Sequence, residues 1–121
     1  MKVLVVDDSK AMRMIVKRNL GQVEALASAQ VVEAEDGRRA LELIRTDGVP
    51  DLVLSDWNMP DMTGIELLQA LRADGSDVRF GFVTSETQAA MREQAIASGA
   101  LFLLAKPFNV DEFRELVESV F

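Results

Sequence analysis

The segment Leu52-Val53-Leu54-Ser55-Asp56-Trp57-Asn58-Met59-Pro60-Asp61-Met62-Thr63-Gly64-Ile65-Glu66-Leu67-Leu68-Gln69-Ala70-Leu71 changes its period midway. Its first three residues are apolar without alternation, as in a strand buried on both faces. A loop rich in turn formers follows, with Asn58, Pro60 and Asp61. From there apolar positions fall at Gly64, Leu67, Leu68 and Leu71, the spacing of one helical face. The stretch therefore reads as a buried strand, a loop and an amphipathic helix.

The same alternation continues in both directions. Val3-Leu4-Val5-Val6, Phe80-Gly81-Phe82-Val83 and Leu101-Phe102-Leu103-Leu104 are apolar runs of strand length, and Val31-Val32-Glu33 is a weaker one. Helical spacing recurs at Met12, Ile15, Val16 and Leu20, at Ala40, Leu41 and Ile44, and at Phe113, Leu116, Val117 and Val120. Thr87 to Ser98 is alanine-rich and predicts a helix with a thin apolar face, ended by Gly99 in a left-handed cap. Five strand–helix units in alternation predict an α/β fold, a parallel sheet covered on both faces by helices and joined by right-handed crossovers. No repeat, low-complexity tract or linker interrupts the pattern. The expectation is a single domain over 1–121 with no output domain after it.

Composition narrows the function. Thirteen basic against 20 acidic residues leave a net charge of −7, which disfavours binding to nucleic acid or an anionic membrane. There is no cysteine, so no disulfide, thiolate nucleophile or cysteine zinc site, and no histidine, so no Ser-His-Asp catalysis. The apolar run before Asp7 is too short for a secretory signal, and nothing approaches a membrane span. A cytoplasmic protein is expected.

In an open parallel sheet, ligands bind beyond the carboxyl ends of the strands. Asp7 and Asp8 follow the first predicted strand, Asp56 the third, Thr84 and Ser85 the fourth, and Lys106 the fifth. Each has an ordinary reading alone. Asp7 and Asp8 would suit the start of a helix with Ser9 as N-cap, and Asp56 would suit a turn. Thr84 would simply end a strand, and Lys106-Pro107 would be a loop. Together they place three carboxylates, two hydroxyls and an ammonium on one rim. Two carboxylates about 4 Å apart repel by roughly 4 kcal/mol at an effective dielectric near 20, so the cluster calls for a cation. Mg²⁺ takes oxygen ligands and keeps water positions that a phosphate can replace. A phosphoryl donor would then be attacked by the carboxylate left free, which points to Asp56, while Lys106 and the metal offset its charge. Thr84, with Ser85, would hydrogen-bond a phosphoryl oxygen, and the Asn58 carbonyl is a further candidate metal ligand.

These motifs resemble the receiver domains of two-component response regulators, and among them the stand-alone chemotaxis regulators of the CheY type. The stretches that carry the resemblance are Val5-Val6-Asp7-Asp8-Ser9, Glu35-Asp36-Gly37, Asp56 to Gly64, Val83-Thr84-Ser85 and Ala105-Lys106-Pro107-Phe108. The resemblance implies a doubly wound (βα)5, flavodoxin-like three-layer sandwich with strand order 2-1-3-4-5. It implies that Asp56 takes a phosphoryl group from a sensor histidine kinase, that Asp7, Asp8, Asp56 and the Asn58 carbonyl hold Mg²⁺, and that Lys106, joined to Pro107 by a cis peptide, contacts the phosphoryl group. Asn58 and Glu86 match the positions that tune its hydrolysis. The protein would catalyse only its own phosphorylation and dephosphorylation, would be a monomer, and would switch an output partner such as a flagellar motor protein or a phosphatase. Three features depart from the pattern. Leu103 stands where the family usually has Tyr or Phe, the segment Glu86-Thr87-Gln88-Ala89 lacks the lysines common in chemotaxis members, and Gly21 to Gln30 is slightly long.

Other functions fit less well. A phosphorelay intermediate would share the site and pass its phosphoryl group to a second histidine protein. A phosphatase forming an aspartyl-phosphate would usually carry Asp-x-Asp after its first strand, where this chain has adjacent Asp7 and Asp8, and would need a cap for its substrate. In a flavodoxin, an acidic first loop would repel the flavin phosphate. A receiver-like scaffold that is never phosphorylated would not need the whole acidic set.

Overall fold

Four consecutive buried side chains, Val3 to Val6, place β1 (Lys2–Val6) inside the molecule with apolar cover on both faces. The computed structural model describes residues 1–121. After β1 come α1 (Lys10–Leu20), β2 (Gln30–Ala34), α2 (Gly37–Asp47), β3 (Leu52–Ser55), α3 (Gly64–Ala73), β4 (Arg79–Thr84), α4 (Ala89–Ala97), β5 (Phe102–Ala105) and α5 (Val110–Glu118). The strands form one parallel sheet in the order β2-β1-β3-β4-β5. The α/β class and the strand order implied by the resemblance are those observed.

Strand residues alternate between two cores, which makes the three layers. Leu4, Val6, Val53, Phe80, Phe82 and Leu103 meet Leu41 and Ile44 of α2, Leu67, Leu68 and Leu71 of α3, and Ala95 of α4. Val3, Val5, Leu52, Leu54, Val83 and Leu104 meet Val16 and Leu20 of α1 and Phe113 and Val117 of α5. Each large side chain buried this way contributes about 1.5–3 kcal/mol. Gly81 lies opposite Phe102 in the ladder, and a Cβ on it would stand 2.3 Å from the Phe102 ring.

Three details differ from the sequence pattern. The fourth helix begins at Ala89 rather than Thr87. The Glu86 N–H donates to Thr84 Oγ1 at 3.2 Å, a side-chain bond that holds the chain in a turn and competes with helix. β5 begins at Phe102 because Leu101, 49% exposed, lies outside both cores. Ile15 falls on the exposed side of α1, next to exposed Met14. The slightly long segment after α1 holds a single 3-10 turn (Glu24–Leu26) and buries Val23 and Leu26. Gly99 has the expected positive φ, +101°. No helix is long and apolar enough to cross a membrane.

Candidate functional site

Because β1 lies between β2 and β3, the connection leaving β1 runs to one side of the sheet and the one leaving β3 to the other. A crevice opens at such a reversal beyond the carboxyl ends of the two strands. Asp7 and Asp8 follow β1 there, and Asp56 follows β3.

Asp7 is 3% exposed, and all its polar atoms are engaged. Its N–H donates to the Ala34 carbonyl at 3.1 Å, and its carbonyl accepts from Arg13 Nη1 at 2.6 Å. Oδ1 accepts the Ser9 N–H at 2.9 Å and Oδ2 accepts Lys106 Nζ at 2.9 Å. Ser9 in turn caps α1, its Oγ accepting from the Met12 N–H. Asp56 is tied to β1 by its N–H, which donates to the Val6 carbonyl at 2.9 Å. Its Oδ1 accepts the Trp57 N–H at 2.7 Å and its Oδ2 accepts Lys106 Nζ at 3.3 Å. One carboxylate oxygen from each of Asp7, exposed Asp8 and Asp56 lies within 4.8 Å of the other two.

The β3–α3 loop holds Asp56 by doubling back on it. Gly64 N–H donates to the Trp57 carbonyl at 2.8 Å, and a Cβ on Gly64 would sit 2.1 Å from the Asp56 carbonyl oxygen. Trp57 packs its ring 4.9 Å from that of Phe82. Asp61 turns the loop with φ +66°, a conformation uncommon outside glycine though best tolerated by Asp and Asn. Lys106 reaches in from the end of β5, its N–H bonded to the Thr84 carbonyl at 2.9 Å and its peptide to Pro107 cis.

Burial pushes the Asp7 carboxyl above its ordinary value, outweighing the opposing hydrogen bond from Lys106. Burial works against the Lys106 ammonium, but its contacts with Asp7 and Asp56 more than compensate and its pKa is raised. The single ammonium thus leaves the carboxylates with uncompensated negative charge. Three carboxylates in an all-oxygen set with one open, exposed member fit a hard dication such as Mg²⁺.

The remaining sequence candidates lie at the ends of β3 and β4 and within β5. Thr84 is fully buried and its hydroxyl accepts from Glu86 N–H, while Ser85 is exposed. Asn58 Nδ2 donates to Glu86 Oε1, joining two loops beside Asp56. Leu103 is 4% exposed and belongs to the core on the α4 side. Arg13, which binds the Asp7 carbonyl, did not stand out in the sequence. A basic residue on a helix of basic residues carries no mark of its target.

The response regulator receiver domain family matches residues 3–118. The chemotaxis protein CheY of Pseudomonas aeruginosa is 37% identical, over 100% of this chain and 96% of its own. The CheY homolog of Campylobacter jejuni is also 37% identical, over 99% of this chain and 92% of its own. Among solved structures, a chemotaxis CheY protein of Vibrio cholerae superposes with a TM-score of 0.86 at 34% identity, covering 99% of this chain and 98% of that one. The receiver domain of a Francisella response regulator gives 0.84 at 31% identity, covering 98% and 94%. With a matching family, matching topology and an acidic crevice at the sheet's reversal, the chain belongs to the response regulator receiver domains and resembles the CheY type.

Proposed function

We propose that this protein is a phosphorylation switch in which Asp56 accepts a phosphoryl group from a sensor histidine kinase, with Mg²⁺ bound by Asp7, Asp8, Asp56 and the Asn58 carbonyl. The observation that carries this reading is Lys106 Nζ standing 2.9 Å from Asp7 and 3.3 Å from Asp56 in a crevice of three carboxylates. The Asp56 carboxylate attacks phosphorus as the bond from phosphorus to the donor imidazole breaks. The bonding pair returns to the imidazole nitrogen. Lys106 offsets charge on the phosphoryl oxygens, and Mg²⁺, when bound, supplies further charge compensation. Water later cleaves the acyl-phosphate and regenerates Asp56. Apart from this self-reaction the protein is not an enzyme.

Asn58, two residues after Asp56 and bonded through its Nδ2 to Glu86 Oε1, would with Glu86 set how readily water reaches the phosphoryl group. Phosphorylation would draw the Thr84 hydroxyl from Glu86 N–H toward the phosphoryl group and so release the turn before α4. Leu103 lacks a phenol hydroxyl, so its part in the switch is by packing alone. Likeness to chemotaxis proteins supports a chemotactic pathway, an output by protein binding and a cytoplasmic setting. Trp57 fluorescence tests the reading with Mg²⁺ and then a small phosphodonor, in the wild type and in Asp56→Asn. A donor response that needs Mg²⁺ and is lost in the variant is expected. Equal responses in both proteins, or no phosphorylation by mass spectrometry, would overturn it.

A further inference from the structure

We infer that Arg13 is a positioning residue that sets the geometry of the Asp7–Asp8 peptide and thereby the affinity of the site for Mg²⁺. The inference rests on the metal-dependent reading above and adds a residue to it. Arg13 Nη1 donates to the carbonyl of Asp7 at 2.6 Å. That carbonyl belongs to the peptide joining the two carboxylates that follow β1, so fixing it fixes the direction in which Asp8 leaves the chain. Asp8 needs such help, being exposed while Asp7 is held by bonds to all its polar atoms.

Arg13 is itself held. Its Nε bonds Glu33 Oε1 on β2 at 3.0 Å, and its side chain is only 15% exposed. One planar guanidinium therefore spans an anchor on the edge strand and the loop at the crevice. Lysine cannot imitate this, because its single ammonium nitrogen lacks the rigid fork that serves two fixed acceptors. Groups behind metal ligands commonly change affinity by 10–100-fold when removed.

Electrostatics makes the idea testable by sign. Arg13 carries positive charge near a cation site, so removing it would tighten Mg²⁺ binding by about two- to threefold if charge alone mattered. Positioning makes the opposite demand. Arg39 lines the same shallow groove as Arg13 and Glu33 but bonds Glu42 on its own helix, so Arg39→Ala reports the charge effect without the positioning.

The experiment is a Mg²⁺ titration of the full chain followed by NMR at the Ser9 and Trp57 amides, which bond Asp7 Oδ1 and Asp56 Oδ1. Expected is binding about tenfold weaker in Arg13→Ala, intermediate in Arg13→Lys, and equal or tighter in Arg39→Ala, with metal-free thermal midpoints showing that all are folded. Unchanged or tighter binding in Arg13→Ala overturns the inference while leaving the metal site intact. Should Arg13→Ala not fold, Arg13→Lys decides alone, and wild-type affinity in it overturns the inference. No shift in the wild type at any Mg²⁺ concentration overturns both this and the reading it rests on.

Discussion

Asp7 carries two conflicting demands. Its carboxylate must be charged to hold a cation, yet it is nearly inaccessible to water. Burial raises its pKa in spite of Lys106, so the folded protein keeps a proton that the unfolded chain gives up at its ordinary value of 3.8. Stability contributed by this residue therefore falls as pH rises from about that value through the raised one. Lys106 does not confuse the test. Its raised pKa stabilises the fold throughout the range below its ordinary 10.5 and is lost only as pH passes the raised value. Asp7→Asn removes the charge and retains an acceptor for Ser9. Denaturant unfolding in a chelator should show the variant gaining on the wild type as pH rises above about 3.8. A variant that instead loses ground over that range would mean that the Lys106 ion pair, not burial, dominates at Asp7.

At the scale of elements, α3 and α4 form a contrast. α3 buries Gly64, Ile65, Leu67, Leu68 and Leu71 and starts in a capping box made by Thr63 and Glu66, worth about 1 kcal/mol at the cap. α4 buries only Ala95, has no side-chain bond at its N-cap Gln88, and carries no acid in its first turn or base in its last. Native-state hydrogen exchange should therefore find α4 amides opening at least tenfold more readily than those of α3. Equal protection would deny α4 the looseness that a switch element needs. This contrast was legible in the sequence as an alanine-rich stretch with a thin apolar face, whereas the start of α4 was not. The turn at Thr84–Glu86 is a hydroxyl-to-backbone bond, and periodicity does not register such bonds. Alternation of apolar runs and helical periods predicted the class and the parallel sheet. Strand order came from the family resemblance, since β1 and β4 are equally apolar and periodicity does not say which strand lies beside which. Asp7, Asp8, Asp56 and Lys106 could be placed on one rim because each lies within two residues of a strand's end. Arg13 and the contact of Gly64 with the Asp56 carbonyl could not, because both depend on how a loop folds back in space.

For the whole molecule, charge offers two explanations for any effect of Mg²⁺. With a net charge of −7, the fold gains stability from any salt that screens self-repulsion. A specific site behaves differently, because its contribution grows with the logarithm of ligand concentration above Kd. At a hundred times Kd the gain is about 2.7 kcal/mol, which for a chain of this length raises the thermal midpoint by roughly ten degrees. NaCl at matched ionic strength should supply only the screening part. The Asp7→Asn variant keeps most of the surface charge but lacks a ligand, so its response to Mg²⁺ should shrink toward its response to NaCl. Calorimetry of both proteins in both salts separates the two cases. If Mg²⁺ and NaCl raise the wild-type midpoint equally, the three carboxylates act only as part of a diffuse negative surface, and Lys106 is their sole cation.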